Sequence, residues 1–213
     1  MDKNTEFIIE KRVERTIENL EKHNMNGYFV QNEKEALKKI EELMNEGNTV
    51  SVGGSMTLFE SGAIEFLRSD KYNFLDRYKK DLTKDQIKDI YRKSFSADVY
   101  LTSSNAITED GELYNVDGTG NRVAAMVYGP DKVIVVVGVN KIVKDLDEAI
   151  MRNREIAAPA NAKRLNRSTP CAKVGYCMDC TSKDRICNDY VVIRRQGSIG
   201  RIHVIIVNKE LGY

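Results

Sequence analysis

The run KVIVVV, residues 132–137, is the most continuous β-forming stretch in the chain. Five β-branched residues follow one another without a polar break, the pattern of a strand buried on both faces, as in a parallel sheet. Upstream, residues 123–128 form a short helix that stops at Gly129-Pro130. Downstream, Asp145 and Glu148 have capping-box spacing for the last helix, which Pro159 is expected to kink or end.

Further out, strand and helix signals alternate. The first 25 residues form an amphipathic helix with Ile9, Val13, Ile17 and Leu20 on one face, broken at Asn26-Gly27. Strands follow at 28–30, 49–52, 73–75 and 99–102. Between them lie helices begun by Asn32 with Glu35, Thr57 with Glu60 (57–67) and Thr83 with Gln86 (83–94). Asp110-Gly111 turns a hairpin between 106–108 and 112–114. Two β-rich runs, 190–194 and 201–207, close the chain across Gly197-Ser198. The expected fold is α/β: a doubly wound, largely parallel sheet with helices on both faces, plus a small Cys-rich C-terminal segment. Residues 1–160 hold the N-terminal helix and a ligand-binding core. Residues 161–213 add the cysteine segment and closing strands to the same domain.

Composition bounds the rest. With 41% hydrophobic and 31% charged residues and a mean hydropathy of -0.45, the chain is globular. Its charged N-terminus has no signal-peptide core, and its longest apolar run is far too short to span a membrane. A cytoplasmic location is expected. The net charge of +1 hides an asymmetry: residues 163–201 carry nine Lys/Arg against three Asp. No aromatic-interleaved platform accompanies them, so the basic segment is read as compensation for nearby thiolates and no nucleic-acid partner is expected.

Three constellations carry chemistry. Ser51-Val52-Gly53-Gly54-Ser55-Met56-Thr57 runs from strand end to helix start, where unpaired N–H groups favour an anion, although a tight turn needs glycine for sterics alone. Asp117-Gly118-Thr119-Gly120-Asn121-Arg122 leads into another helix, and Arg122 has the fork for a carboxylate or phosphate. Asp117 and Glu60 are candidate acid/base carboxylates, while capping is the plainer role for Asp117 and Thr119. If both turns follow strands of one sheet, they open on one ligand cleft. The third is Cys171-x5-Cys177-x2-Cys180-x6-Cys187. One close pair with two outlying cysteines suits a [4Fe–4S] cluster somewhat better than zinc, with unmetallated thiols or a thiol–disulfide pair as the remaining alternative. His23 and His203 have no partner pattern, and the first turn lacks the lysine of a P-loop.

The segments SVGGSMTLFESG (51–62), LTSSNAITEDGELYNVDGTGNRVAAMVYGPDKVIVVVGVNKIV (101–143) and TPCAKVGYCMDCTSKDRICN (169–188) resemble the LUD-domain, or lactate-utilisation protein, family over nearly the whole chain. More distantly, the strand, Asn105-Ala106 turn, Gly-Glu hairpin and Gly-Thr turn are similar to the superfamily of ribose-5-phosphate isomerase, glucosamine-6-phosphate deaminase and CoA-transferases. The resemblance implies a cleft for a small anionic molecule, an organic acid or phosphorylated ligand, at Gly53, Gly54, Ser55, Thr57 and Asn105. Asp117, Gly118, Thr119, Asn121 and Arg122 would form the facing loop. It implies a part in oxidising lactate to pyruvate beside iron–sulfur oxidoreductase partners. The chain departs from the smaller lactate-utilisation subunits in carrying its own cysteine segment. Two alternatives stand beside this one: a redox-silent isomerase or CoA-transferase-like enzyme using Glu60 or Asp117, and a ligand-binding regulatory module with structural zinc. The N-terminal helix is either core packing or a homodimer contact.

Overall fold

The computed structural model describes residues 2–213. The chain runs α1 (Lys3–Lys22), β1 (Asn26–Val30), α2 (Glu33–Glu42), β2 (Thr49–Val52), α3 (Met56–Glu60), α4 (Ala63–Leu67), β3 (Asn73–Phe74) and α5 (Lys84–Lys93). Next come β4 (Val99–Thr102), β5 (Ala106–Thr108), β6 (Leu113–Asp117), α6 (Asn121–Val127), β7 (Lys132–Gly138) and β8 (Ile142–Val143). The chain ends with α7 (Leu146–Arg152), α8 (Ala158–Arg164), α9 (Pro170–Val174), β9 (Asp189–Ile193) and β10 (Ile202–Val207).

Six strands form one sheet in the order β1-β10-β7-β4-β2-β3, and every adjacent pair is parallel. The opening run is β7, near the middle, with both neighbours hydrogen-bonded to it. Its alternation, invisible in a string of β-branched residues, is resolved by the helices. Ile134 and Val136 face a core made with α2, α3 and α4, while Val133, Val135 and Val137 face one made with α1 and α6. Helices on both faces follow from this division. The apolar stripe of α1 is spent here: Val13, Thr16 and Leu20 are buried.

A second sheet, β8-β5-β6-β9, is an addition the strand signals did not separate. The Asp110-Gly111 hairpin pairs β5 with β6 antiparallel, and the closing runs part company: β9 joins β6, whereas β10 enters the large sheet between β1 and β7. The helix expected over 57–67 is broken into α3 and α4 by Gly62, which sits at φ +76°. Pro159 does not end its helix. A π-helical turn at Asn153–Ala157 takes up the missing N–H, and the helix continues as α8. The Thr83–Gln86 capping box forms as spaced. That of Thr57 and Glu60 does not: Ser55 is the N-cap, because the Thr57 hydroxyl bonds to Leu211 O and Glu60 accepts from Gly212 N–H.

Gly111 docks the hairpin against α1. It has φ +79°, and an added Cβ would lie 2.6 Å from the Leu20 nitrogen of the helix backbone, whereas at Gly47, φ +81°, nothing lies within 4 Å. Gly47→Ala is expected to cost about 1 kcal/mol, the left-handed penalty alone. Gly111→Ala should cost clearly more in urea denaturation, because α1 must shift. Equal losses would contradict this docking.

Candidate functional site

The C-terminal ends of β2, β4 and β7 open on a polar cleft at the sheet edge where doubly wound folds bind ligands. It is lined by Gly54, Ser55 and Met56 after β2, and by Ser103, Ser104 and Asn105 after β4. Lys141 after β7, Arg122 on α6, Asn161 and Arg164 on α8, and Tyr213 complete it.

Arg122 frames the cleft without being free to bind through it. Its Nε–H donates to Asp117 Oδ2 (3.1 Å). Nη1 donates to Ser103 O (2.9 Å) and Asn115 Oδ1 (2.6 Å), and Nη2 to Asn105 Oδ1 (3.0 Å) and Val116 O (2.9 Å). All five donors of the guanidinium are thereby used. The same Asn105 Oδ1 accepts Val116 N–H, so Asn105 positions the loop after β4.

Lys141 is the unexpected member. It is 3% exposed, and its Nζ donates to Thr57 Oγ1 (2.9 Å) and Ser103 Oγ (3.1 Å). No carboxylate lies within ion-pairing distance of it among the described residues. Burial, aided by the positive charges of Arg152 and Arg122, pulls Lys141 down to about 7, against a weak opposing pull from Glu60. Arg152 is also buried and bonds only to carbonyls, those of Asn140 and Asn105. Arg122, Arg152 and, when protonated, Lys141 thus share one nearby acid, Asp117, itself committed to Arg122. Buried charge is ordinarily paired, so the surplus is a demand for an anion. The shielded Tyr213 hydroxyl borders the same space beside Arg164, whose positive charge acts on it.

The expected residues divide. Gly54, Ser55, Asn105 and Arg122 line the cleft, and Thr57 reaches it through Lys141. Gly53 lies behind, where a Cβ would meet Thr102 Oγ1 at 2.7 Å and Arg122 at 3.0 Å. The two glycine turns do not follow strands of one sheet, since β6 belongs to the smaller one. Asp117 and Gly118 instead face the cysteine segment: Asn188 N–H donates to Asp117 O, and its side chain to Gly118 O. Thr119 and Asn121 border a separate groove against α5. Asp117 Oδ1 accepts from the N–H groups of Thr119 and Gly120, and Glu60 is exposed. Neither carboxylate lines the cleft. Because α3 has only five residues, its dipole contributes little, and the cations carry the electrostatics in its place.

Cys171, Cys177, Cys180 and Cys187 line one cavity with Ala158, Ala162, Thr169 and Ile186, and none is in a disulfide. Burial pushes the Cys187 thiol up to about 11, opposed by Arg185 and reinforced by the other three thiols. Arg185 clasps the loop by bonding to the carbonyls of Cys180 and Cys187, while Asp179 N–H donates to Cys177 Sγ (3.4 Å). Among the described residues no three His, Cys, Asp or Glu side chains gather closely enough to hold a single metal ion. The two cavities share α8: Ala157, Asn161 and Arg164 border the cleft, and Ala158 and Ala162 border the cysteines. They therefore lie against neighbouring faces of that helix, since successive residues are turned by about 100°.

Lys141 escaped the sequence reading because it lies in no motif. One signal was available: a single lysine between the buried run of β7 and the apolar pair of β8, a place where a charge has little access to water.

The family model for the LUD domain matches residues 13–207. The fold is similar to the crystal structure of a DUF162 family protein from Deinococcus radiodurans, at 15% identity and a TM-score of 0.52, covering 94% of this chain and 96% of that one. Weaker likenesses, both with a TM-score of 0.37, are to eIF2B beta from Chaetomium thermophilum (15% identity, 55% of this chain, 44% of that) and to a D-ribose-5-phosphate isomerase in complex with phospho-erythronic acid (14% identity, 85% and 97%). Comparison with curated proteins gives no match.

The Lys141 environment sets a pH dependence. The unfolded chain holds this proton up to pH 10.5, and the folded chain releases it near 7. Between those values the unfolded state binds more protons, so this group's contribution to stability rises with pH. Wild type should gain thermal stability from pH 7 to 9 relative to Lys141→Met. Parallel pH profiles for the two proteins would contradict the assignment.

Proposed function

The chain belongs to the LUD-domain family, and on that premise we propose that it is a component of lactate or related organic-acid oxidation to pyruvate, binding the small acid in the cleft at Lys141. One observation carries this reading: buried Lys141 and Arg152 have no acid to balance them, and a carboxylate entering between Ser55, Ser103 and Lys141 supplies one. The cleft is polar and narrow, as suits an acid of a few carbon atoms.

In the same reading, Cys171, Cys177, Cys180 and Cys187 hold a [4Fe–4S] cluster. When bound, such a cluster accepts and donates single electrons. The donor set supports it in three ways: four thiols border one small, partly apolar cavity, a backbone N–H is aimed at Cys177 Sγ, and Arg185 offsets thiolate charge. The approach of both cavities to α8 supports a common purpose for the acid and the cysteines. Iron–sulfur oxidoreductase subunits are the partners this chemistry calls for, since a single cluster takes one electron and oxidation of a hydroxy acid releases two.

Protein purified without oxygen should contain iron and acid-labile sulfide in equal amounts, about four of each per chain, with visible absorption bleached by dithionite. Cys180→Ser should lose both. Lactate or pyruvate should raise the melting temperature, since binding at a hundred times the Kd stabilises the folded state by about 2.7 kcal/mol. Colourless protein with stoichiometric zinc would end the iron–sulfur assignment, and indifference to every small acid would end the cleft assignment.

A further inference from the structure

Lys141 has the surroundings of an amine kept for chemistry. It follows β7 directly, in the 3-10 turn Val139–Lys141, and so projects from one of the most firmly buried strands of the sheet. A lysine buried for stability alone is expected to meet a carboxylate. This one meets two hydroxyls. Thr57 Oγ1–H donates to Leu211 O (3.2 Å), and Ser103 Oγ–H donates to Thr57 Oγ1 (3.3 Å). Both hydroxyls therefore accept from Nζ and neither adds negative charge. The charged groups nearest in effect, Arg152 and Arg122, are cations, and exposed Glu60 opposes them only weakly. Desolvation and neighbouring positive charge both favour a neutral, nucleophilic amine.

We propose that Lys141 forms an imine with a 2-oxo acid bound in this cleft, a step that rests on the organic-acid reading and names the oxidation state of the acid. The ligand class follows from two complementary needs. A nucleophilic amine needs an electrophilic carbonyl, and buried Arg152, which bonds only to carbonyls, leaves a positive charge that a carboxylate would balance. A 2-oxo acid offers both on adjacent carbons, whereas a 2-hydroxy acid offers only the second. The neutral Nζ attacks the carbonyl carbon, a C–N bond forms and the carbonyl oxygen takes up a proton. The carbinolamine's hydroxyl then takes the one proton left on nitrogen and departs as water, and a C=N bond is left. Carbon and nitrogen enter and leave at the same total oxidation level, so no oxidant or reductant is consumed. Ser103 and Thr57, both in hydrogen-bond contact with Nζ, are the groups placed to carry the proton from nitrogen towards the departing oxygen.

The test uses the full-length chain with pyruvate and sodium cyanoborohydride near neutral pH, read by intact mass and peptide mapping. One reduced pyruvate adduct per chain is expected, located at Lys141 and absent when lactate replaces pyruvate. Lys141→Arg should lose it and Thr57→Val should slow it, with circular dichroism checking that each variant folds. The wild-type peptide map decides the matter if a variant does not fold. Pyruvate that stabilises the protein against heat yet leaves no adduct, or adducts scattered over surface lysines and unchanged in Lys141→Arg, would overturn the imine and leave the organic-acid reading standing. Neither stabilisation nor adduct would overturn both.

Discussion

Five hydrogen bonds from a single guanidinium tie the parts of this protein that make the cleft. Arg122 stands at the start of α6 and reaches the loop after β4 through Ser103 and Asn105, and β6 of the smaller sheet through Asn115, Val116 and Asp117. The two sheets meet across this side chain. Its charge is matched by Asp117 and its donors are exhausted, so it behaves as a rivet. Because Asp117 is consumed there, the other buried cations are left without an acid, and the cleft acquires its electrostatic character from that allocation.

The same contacts bind the cysteine segment to the cleft. Asn188, one residue beyond Cys187, holds the Asp117–Gly118 turn from outside while Arg122 holds Asp117 from inside. On the other flank Cys177 N–H donates to Arg154 O within the π-helical turn, and the helix beyond it borders both cavities. Two routes therefore connect the thiols to the cleft. The first runs through the side chains of Asn188 and Arg122 as well as a backbone hydrogen bond, and the second through a backbone hydrogen bond and the small residues of α8.

Much of the fold was legible because it rests on local chemistry. The β-branched run of β7 announced a strand covered on both sides, and Asp110-Gly111 announced its hairpin. What local chemistry leaves open is partnership. Nothing in 190–194 distinguishes pairing with β6 from pairing with β10, since either buries one face. Thr57 with Glu60 had capping spacing, yet tertiary partners claimed both side chains, the C-terminal backbone at Leu211 and Gly212 and the ammonium of Lys141. Pro159 does not end its helix, because the π turn before it accommodates a residue that has no N–H. For the site, the glycine turn after β2 was visible as a sharp strand-to-helix junction, and Gly54 and Ser55 do border the cleft. The Asp117–Asn121 turn looked equivalent in sequence but opens elsewhere, because its strand belongs to the second sheet. Lys141 has no motif around it. Its meaning comes from burial and from the lack of an acid, which only the assembled structure reveals.

The central claim is that buried, unbalanced positive charge makes this cleft a site for a small organic acid. Calorimetric titration of pyruvate at pH 8, repeated in buffers of different ionisation enthalpy, counts the protons exchanged on binding. An anion settling beside Lys141 favours the protonated nitrogen, whether as ammonium or as protonated imine, so net proton uptake is predicted. Binding heats that are the same in every buffer once normalised, with no proton taken up, would contradict it.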